Sequence, residues 1–395
     1  MTVLIIILTG TSKTTTTSTT VTTTTATTTT TSRSTEISTE FVKYTRFIIA
    51  PCGRFAPQIN YPVSSTPSCL TTADVNGDSK LDIIVTNSGT NTIGVLLNNG
   101  SVTFANEVTY PTSNLPWYVT AADVNTDGEQ DIIVINDNSQ TVGVLLNNGG
   151  GTFAAQITYS IGAHPVAVAA ADVTGDNKVD IIVVNNGAHN IGVLSNNGSG
   201  AFTPQVTYST NQYPVRVAIA DVNGDNKLDL LVTIDIPDQV LVLLNNGNGV
   251  FLLQSAYSTS GDSYSIAVAD LNGDNKPDIV VGNYGPDNVG IFFNIGNGTF
   301  TPEVTYPTSV NPYAIALGDM NGDGKLDIVV ANQGSNNVGL LLNNGNGTFA
   351  TQLTYSVGSQ PYSVSVADIN GDNMLDIIVA NYGSNTVGIL LALCY

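Results

Sequence analysis

From residue 55 onward, short apolar runs alternate with polar punctuation, and the whole alternation recurs every 49 residues. Between Trp117 and Tyr159 the runs are WYVTAA, DIIVIN, TVGVLLN and TFAAQITY, separated by clusters of Asp, Asn and Gly. They are rich in Val, Ile, Thr and aromatic residues and carry no 3.6-residue period, so each reads as a β-strand. The four are called A, B, C and D. Four antiparallel strands in a 49-residue unit describe a β-propeller blade, and seven units lie inside the usual range of four to eight blades.

A second marker keeps the same step. Phe55, Phe104, Phe153, Phe202, Phe251, Phe300 and Phe349 are each followed six residues later by Tyr61, Tyr110, Tyr159, Tyr208, Tyr257, Tyr306 and Tyr355. The array therefore fills residues 55–395, and an open solenoid is the competing architecture. Its ends decide between the two. After Asp368 the seventh unit supplies strands A, B and C and stops at Tyr395, whereas the segment from Phe55 to Tyr61 precedes any strand A. Placed as strand D of blade seven, that segment closes the ring and leaves no open sheet edge. A solenoid would require polar caps at both ends, and none is seen. The expected fold is all-β: a seven-bladed propeller of four-stranded antiparallel blades, closed by its N-terminal strand and preceded by a disordered Thr-rich segment. Residues 1–50 form the N-terminal region and residues 51–395 the propeller.

In residues 11–31, 16 of 21 positions are Thr, a composition that buries no core and reads as an extended, O-glycosylated stalk. The apolar stretch before it, residues 2–8, is far shorter than the roughly 20 residues of a membrane span. It lacks a basic leader and a clear cleavage site, so it reads as the tail of an anchor. The expectation is an extracellular protein, secreted or tethered at the surface, whose membrane contact is confined to an N-terminal anchor.

Between strands A and B every unit writes Asp, a spacer, Asn or Thr, a spacer, Asp, three residues, and Asp again, starting at Asp74, Asp123, Asp172, Asp221, Asp270, Asp319 and Asp368. Two like charges about 4 Å apart repel by roughly 4 kcal/mol at an effective dielectric near 20, so three clustered carboxylates call for a cation. Oxygen-only ligands in a flexible loop select a hard ion, here calcium. These positions hold 21 of the 31 acidic residues, and filling all seven would take the net charge from −20 to −6. A surface of that sign does not hold a phosphate backbone, which excludes nucleic acid as a partner.

The loops DVNGDNKLD, DLNGDNKPD and DINGDNMLD, with the NNGNGTF turns that follow, resemble FG-GAP repeats of the VCBS type, which are similar to the calcium-binding blades of the integrin alpha-chain head. The resemblance covers residues 55–395. It implies up to seven calcium ions, one per blade, held by the side chains at loop positions one, three, five and nine and by the position-seven carbonyl. Those side chains are Asp74, Asn76, Asp78 and Asp82 in blade one, and Asp123, Asn125, Asp127 and Asp131 in blade two. Blade three offers Asp172, Thr174, Asp176 and Asp180; blade four Asp221, Asn223, Asp225 and Asp229; blade five Asp270, Asn272, Asp274 and Asp278. Blade six offers Asp319, Asn321, Asp323 and Asp327, and blade seven Asp368, Asn370, Asp372 and Asp376. Two departures stand out: Thr174 is a weaker ligand than Asn, and Thr126 replaces the usual Gly in blade two. A tight Asp/Asn/Gly turn is the plainer reading of such loops. Turn chemistry, however, does not demand Asp at positions one, five and nine in all seven copies. The resemblance constrains function less, because such blades serve adhesion receptors, lectins and parts of polysaccharide-degrading enzymes.

Successive turns of an antiparallel meander alternate between faces, which puts the acidic A–B loops and the C–D turns on one face and the B–C and D–A loops on the other. The sequons at Asn99, Asn197, Asn297 and Asn346 fall in C–D turns, where Asn-Gly turn chemistry explains them as well as glycosylation does. The stalk enters on the same side, so the opposite face is the one presented outward. There Trp117, Tyr264, Tyr313 and Tyr362 open strands A and Tyr284 and Tyr382 occupy B–C loops. Such a set either stacks on sugars, anchors a protein partner, or packs against neighbouring blades. Arg216 pairs with an acidic ligand group or makes a structural ion pair. Seven periods before Cys394 lies ring position 51, beside Cys52, so a Cys52–Cys394 disulfide is expected to lock the ring, with Cys69 a buried free thiol in strand A.

Catalysis finds little footing. The two histidines, His164 and His189, both fall in blade three, and no serine elbow, zinc signature or phosphate-cradling loop is present. The function expected is therefore a non-catalytic, calcium-binding extracellular recognition or adhesion module that engages a protein or glycan through the face opposite calcium. A carbohydrate-binding lectin is the second reading and a polysaccharide-cleaving enzyme the third.

Overall fold

Every strand B is six residues long and buried from end to end, as in Asp82–Asn87 and Asp131–Asn136. Such a strand needs cover on both faces, and a ring of blades supplies it. Ile84 of blade one packs with Ile132 and Val134 of blade two, while Ile83 and Val85 on the other face of the same strand pack with Ile378 and Ala380 of blade seven. The computed structural model describes residues 54–393, and within them seven four-stranded antiparallel sheets form the expected propeller. Blade two is representative. Its strand A (Pro116–Ala122) pairs with strand B (Asp131–Asn136), which pairs with strand C (Thr141–Leu145), which pairs with strand D (Ile157–Ser160). The one helical element among the described residues is the short 3₁₀ turn Gln333–Ser335.

Closure follows the expected route. Ile59–Pro62 pairs with Thr386–Leu390 as strand D of blade seven, with Tyr61 opposite Val387, and Arg54–Phe55 pairs with Ala392–Leu393. Strand D is nonetheless broken in two, in blade seven as elsewhere. In blade one Phe104 bridges Asn98 alone, and the strand resumes only at Val108–Pro111. The cause is a glycine in strand C: a Cβ on Gly94 would lie 1.9 Å from the carboxylate of Glu107, whose chain folds across that gap to reach Asn87 at 2.7 Å. Blade four has Leu241 at the glycine position, and its strand D runs unbroken over Phe251–Ser258.

The Phe and Tyr markers are the seam between blades. Each Tyr meets the Phe of the next blade edge-on, from Tyr61–Phe104 at 5.0 Å to Tyr257–Phe300 at 5.6 Å, and the hydroxyls of Tyr110 and Tyr208 donate to the carbonyls of Gly151 and Gly249 at 3.2 and 2.6 Å. The seventh seam is Tyr355 against Phe55, 5.2 Å apart, which joins blade six to the chain's first strand. Cys69 is buried and free, as expected. The expected Cys52–Cys394 bridge and the Thr-rich segment lie outside the described residues. Among the described residues no helix is long and apolar enough to cross a membrane.

Because Phe55 fills its seam as Phe153 fills the equivalent one, Phe55→Ala should lower the melting temperature about as much as Phe153→Ala, each costing roughly 3 kcal/mol. Calorimetry showing Phe55→Ala silent beside a damaging Phe153→Ala would rule out closure through this strand.

Candidate functional site

The acidic loops are built on backbone hydrogen bonds to their carboxylates. At position one, Asp74 accepts the N–H groups of Gly77 (2.8 Å) and Asp78 (3.2 Å) on Oδ1 and that of Ser79 (2.7 Å) on Oδ2, and blades four, five and seven repeat the pattern around Asp221, Asp270 and Asp368. The turn takes position four into the left-handed region, φ +76° at Gly77 and +79° at Gly371. Nothing lies within 4 Å of a Cβ built at Gly77, so it is the backbone angle and not crowding that selects glycine. Thr126 holds the same conformation at φ +62°, which is strained for a β-branched residue. In blade three Thr174 donates its N–H to Asp180 at 3.1 Å, whereas Asn76 and Asn272 donate theirs to the position-one aspartate.

Position five faces the solvent and pairs with the lysine two residues on: Asp78–Lys80 at 2.7 Å, Asp274–Lys276 at 2.8 Å, Asp176–Lys178 and Asp225–Lys227 at 3.1 Å, and Asp323–Lys325 at 3.3 Å. Blades two and seven have Glu129 and Met374 at the lysine position. In blades two and seven the amide of Asn125 or Asn370 donates to Asp127 or Asp372 instead.

Position nine is different in kind, since all seven of these aspartates are 0% exposed. Asp82 accepts the Val75 N–H on Oδ2 (3.0 Å) and the Asn98 N–H on Oδ1 (2.7 Å), tying the A–B loop to the C–D turn. Burial pushes these carboxyls up from the usual range, and in six blades the charges of positions five and one add to the shift; Asp278, Asp327 and Asp376 reach about 6.

The donor set of each loop, three carboxylates and an amide or hydroxyl with no nitrogen or sulfur ligand, suits a hard divalent cation. Its carboxylates are held partly apart by the N–H groups they accept. The one trio of acidic side chains among the described residues with oxygens all within 4.8 Å of one another is Asp235, Asp238 and Asp262, in the B–C loop of blade four and the D–A loop leading to blade five. That trio falls outside the 49-residue register, which is why periodicity did not find it.

The two-face assignment holds. B–C loops bond to the D–A loop before them, as in Gly89 N–H to Ser65 O at 3.1 Å. All four sequon asparagines are exposed, on the acidic-loop side. On the other side the six aromatic residues, for which packing against neighbouring blades is one of the readings, are half-buried and form one continuous ladder. Tyr362 stacks on Tyr382 at 4.4 Å and on Tyr313 at 4.5 Å; Tyr313 stacks on Tyr264 at 5.6 Å; Tyr264 meets Tyr284 at 5.1 Å. Trp117 joins edge-on to Tyr362 at 6.3 Å, reaching across blade one, where Ser68 stands at the matching position. The Tyr284 hydroxyl donates to Gln333 Oε1 at 3.0 Å. Burial and neighbouring phenols push the Tyr362 hydroxyl up to about 12.

Through Trp117, Tyr313 and Tyr362 this arc borders an axial channel of about 450 Å³ lined by strands A of all seven blades. Arg216 lies in the channel, with its guanidinium carbon 5.2 Å from the centre of the Tyr118 ring. It donates to the Val215 and Val166 carbonyls at 3.0 and 3.3 Å and has no carboxylate partner among the described residues, so of the two alternatives for this side chain the structural ion pair is not made. The histidines have different partners: exposed His164 shares a 2.7 Å hydrogen bond with Asp137, and His189 meets the edge of Tyr213 at 4.3 Å.

Comparison with known proteins agrees with this geometry. Residues 74–134, 123–183, 172–232, 221–281, 270–330 and 319–379 each match an FG-GAP-like repeat. No curated protein matches the chain significantly. Solved structures similar to it include an Agrocybe aegerita lectin described as recognising non-reducing terminal N-acetylglucosamine (20% identity, TM-score 0.54, 83% of this chain and 96% of that one). Virginiamycin B lyase from Staphylococcus aureus is similar at 16% identity and TM-score 0.62, over 86% of this chain and all of that one. BBS1N, solved with ARL6DN, is similar at 11% identity and TM-score 0.63, over 86% of this chain and 97% of that one. At such identities the likeness is one of fold alone.

Two outcomes follow from the loops. A carboxyl whose folded pKa is raised takes up its proton in the folded chain while the unfolded chain is still ionised, so stability falls as pH rises through that value. In EDTA the melting temperature should therefore climb between pH 7 and pH 5, and a fall over that window would contradict the burial of the position-nine carboxylates. Thr126→Gly should relieve strain and stabilise by about 1 kcal/mol, read as a higher melting temperature.

Proposed function

The chain belongs to the FG-GAP-like repeat family, and from that premise we propose that it is a calcium-stabilised, non-catalytic recognition module that binds a protein or glycan through the face opposite its acidic loops. The observation that carries the reading is the aromatic arc around the channel mouth, where six large rings converge from blades two, five, six and seven. Half-buried aromatic residues held rigid by their neighbours lose little side-chain entropy on binding, which suits them as anchors.

Calcium would be held by the side chains at positions one, three, five and nine of each A–B loop, and its charge would offset the crowding of three carboxylates. The lysines now paired with position five would turn outward. Extracellular calcium modules work at about 10⁻⁴ to 10⁻³ M, consistent with a secreted or surface-tethered protein. The exposed sequons on the acidic-loop side would place any glycans away from the aromatic face. Support for a non-catalytic role comes from the histidines, which stand in separate loops, one held by an aspartate and the other against a ring.

A lectin is the second reading. It is favoured by a channel of about 450 Å³, a size that admits the end of a chain and not a folded domain. The similar Agrocybe lectin is described as recognising such an end, a non-reducing terminal N-acetylglucosamine.

Calcium at a hundredfold excess over its Kd adds about 2.7 kcal/mol per occupied site, so excess EDTA should lower the melting temperature well beyond any effect of magnesium exchange. An unchanged melting temperature would end the calcium reading. On a glycan array and in pull-downs of surface proteins, Tyr313→Ala combined with Tyr362→Ala should weaken capture about thirtyfold, near 2 kcal/mol, with calcium-dependent stability retained. Full capture by that variant, with loss on altering the Asn99 or Asn346 turns, would move the site to the acidic face.

A further inference from the structure

We infer that the channel mouth takes the terminal acidic sugar of a glycan, its carboxylate held by Arg216 and its ring by the aromatic rim. This rests on the recognition reading above and assigns the chemistry of that same site. The second residue of strand A is Trp117, Tyr264, Tyr313 or Tyr362 in blades two, five, six and seven, but Val166 and Val215 in blades three and four. The arc thus has a gap. Arg216, one residue further along, fills it: its donations to the carbonyls of Val166 and Val215 fix one end of the guanidinium in that gap, and its charge acts on the Tyr313 hydroxyl.

The charge of this side chain is not balanced by the protein. Among the described residues the five lysines each pair with a loop aspartate, and Arg216 is the one cation lining the channel. A guanidinium offers five N–H donors in a planar fork matched to a carboxylate, and its two carbonyl bonds come from a single nitrogen. Tyr118 and Cys69 line the same wall, where burial pushes the Tyr118 hydroxyl up to about 12 and raises the Cys69 thiol as well. An anion arriving there gains more than it would at the surface, because the same charge pair is several times stronger at low dielectric.

The rim selects what else the ligand carries. Asp235, Asp238 and Asp262 cluster near Tyr264, whose pKa is raised chiefly by burial and further by the charges of Asp235 and Asp262. A polyanion or an acidic peptide would be repelled by this trio. A ligand with one carboxylate and many hydroxyls is not, since ionised carboxylates accept sugar hydroxyls well. Tyr313, Tyr362 and Tyr382 spend their faces on one another, whereas Trp117 touches the ladder through Tyr362 alone and keeps a face for the C–H surface of a pyranose.

The test is calorimetric titration of the full, calcium-saturated chain with three probes: an oligosaccharide ending in glucuronate, the same chain ending in glucose, and a peptide of several aspartates. The glucuronate probe should bind at least tenfold more tightly than either of the others. Arg216→Met should lose that preference, Arg216→Lys should keep part of it, and Tyr313→Phe should weaken binding severalfold with the fold intact by melting temperature. Equal affinity for the two sugars, tighter binding of the peptide, or undiminished glucuronate binding by a folded Arg216→Met would overturn the inference. If Arg216→Met fails to fold, Tyr313→Phe and the comparison of the two sugars decide. Absence of glucuronate binding alongside a Tyr313- and Tyr362-dependent ligand would remove the acidic sugar and leave the recognition reading standing; loss of that dependence would remove both.

Discussion

A carboxylate sealed from water at the head of every strand B governs the rest of the ring. Each position-nine aspartate accepts at least two backbone N–H groups, one from its own A–B loop and one from the C–D turn, as Asp82 does with Val75 and Asn98. In six blades the residue so positioned is an asparagine that donates its Nδ2 to the loop of the preceding blade, Asn98 to Ile369 and Asn147 to Val75, at 2.8 and 2.9 Å, whereas blade seven has Ala392 there. One buried acid therefore sets the shape of a loop, the start of strand D and the spacing to the next blade. A polar group without such partners would cost several kcal/mol at this depth. Here the partners are supplied by the same repeat that creates the need. What they do not cancel is the charge, and the raised pKa values record that residue of unfavourable energy on the side where a cation is proposed to bind.

Concentrating the structural demands on one face frees the other. The A–B loops repeat almost letter for letter, because their hydrogen bonds and left-handed turns leave few choices. At the second position of strand A the same period runs Ser68, Trp117, Val166, Val215, Tyr264, Tyr313, Tyr362. That position meets its neighbours only around the channel mouth, so its identity can change blade by blade without disturbing any seam. The asymmetry of the ring, aromatic over blades five to seven and cationic at blade four, is written almost entirely there and in the loops beside it.

Periodicity made most of the fold legible. A fixed 49-residue step located the strands, the closing strand and the two faces, since each depends on a rule that every blade obeys. The aromatic set could be read for the same reason. What escaped was whatever depends on distance between unlike blades. The phenols could be placed on one face, but not seen to stack into a ladder that consumes most of their surfaces. Arg216 could be placed in strand A, but not seen to lie over Tyr118 with no acid in reach. The break in strand D also escaped, because it comes from Glu107 lying over Gly94, a contact that looks in the sequence like an ordinary strand residue facing an ordinary glycine. Asp235, Asp238 and Asp262 come together from two loops of blades four and five that share no register.

Stacking also bears on what the face can bind. A ring that stands alone over a surface offers two faces to a ligand, but it must be ordered at binding, at about 0.5 to 1.5 kcal/mol per side chain. Rings stacked at 4.4 to 4.5 Å are already ordered, and offer chiefly edges and hydroxyls. The ladder thus favours contacts that are directional and hydrogen-bonded over broad apolar ones. Tyr362, pushed up to about 12, remains a neutral hydroxyl donor throughout the physiological range. An edge-presenting rim with a single cation at its gap distinguishes ligands by the placement of their polar groups, which is a demand that hydroxyl-rich molecules meet and flat apolar ones do not.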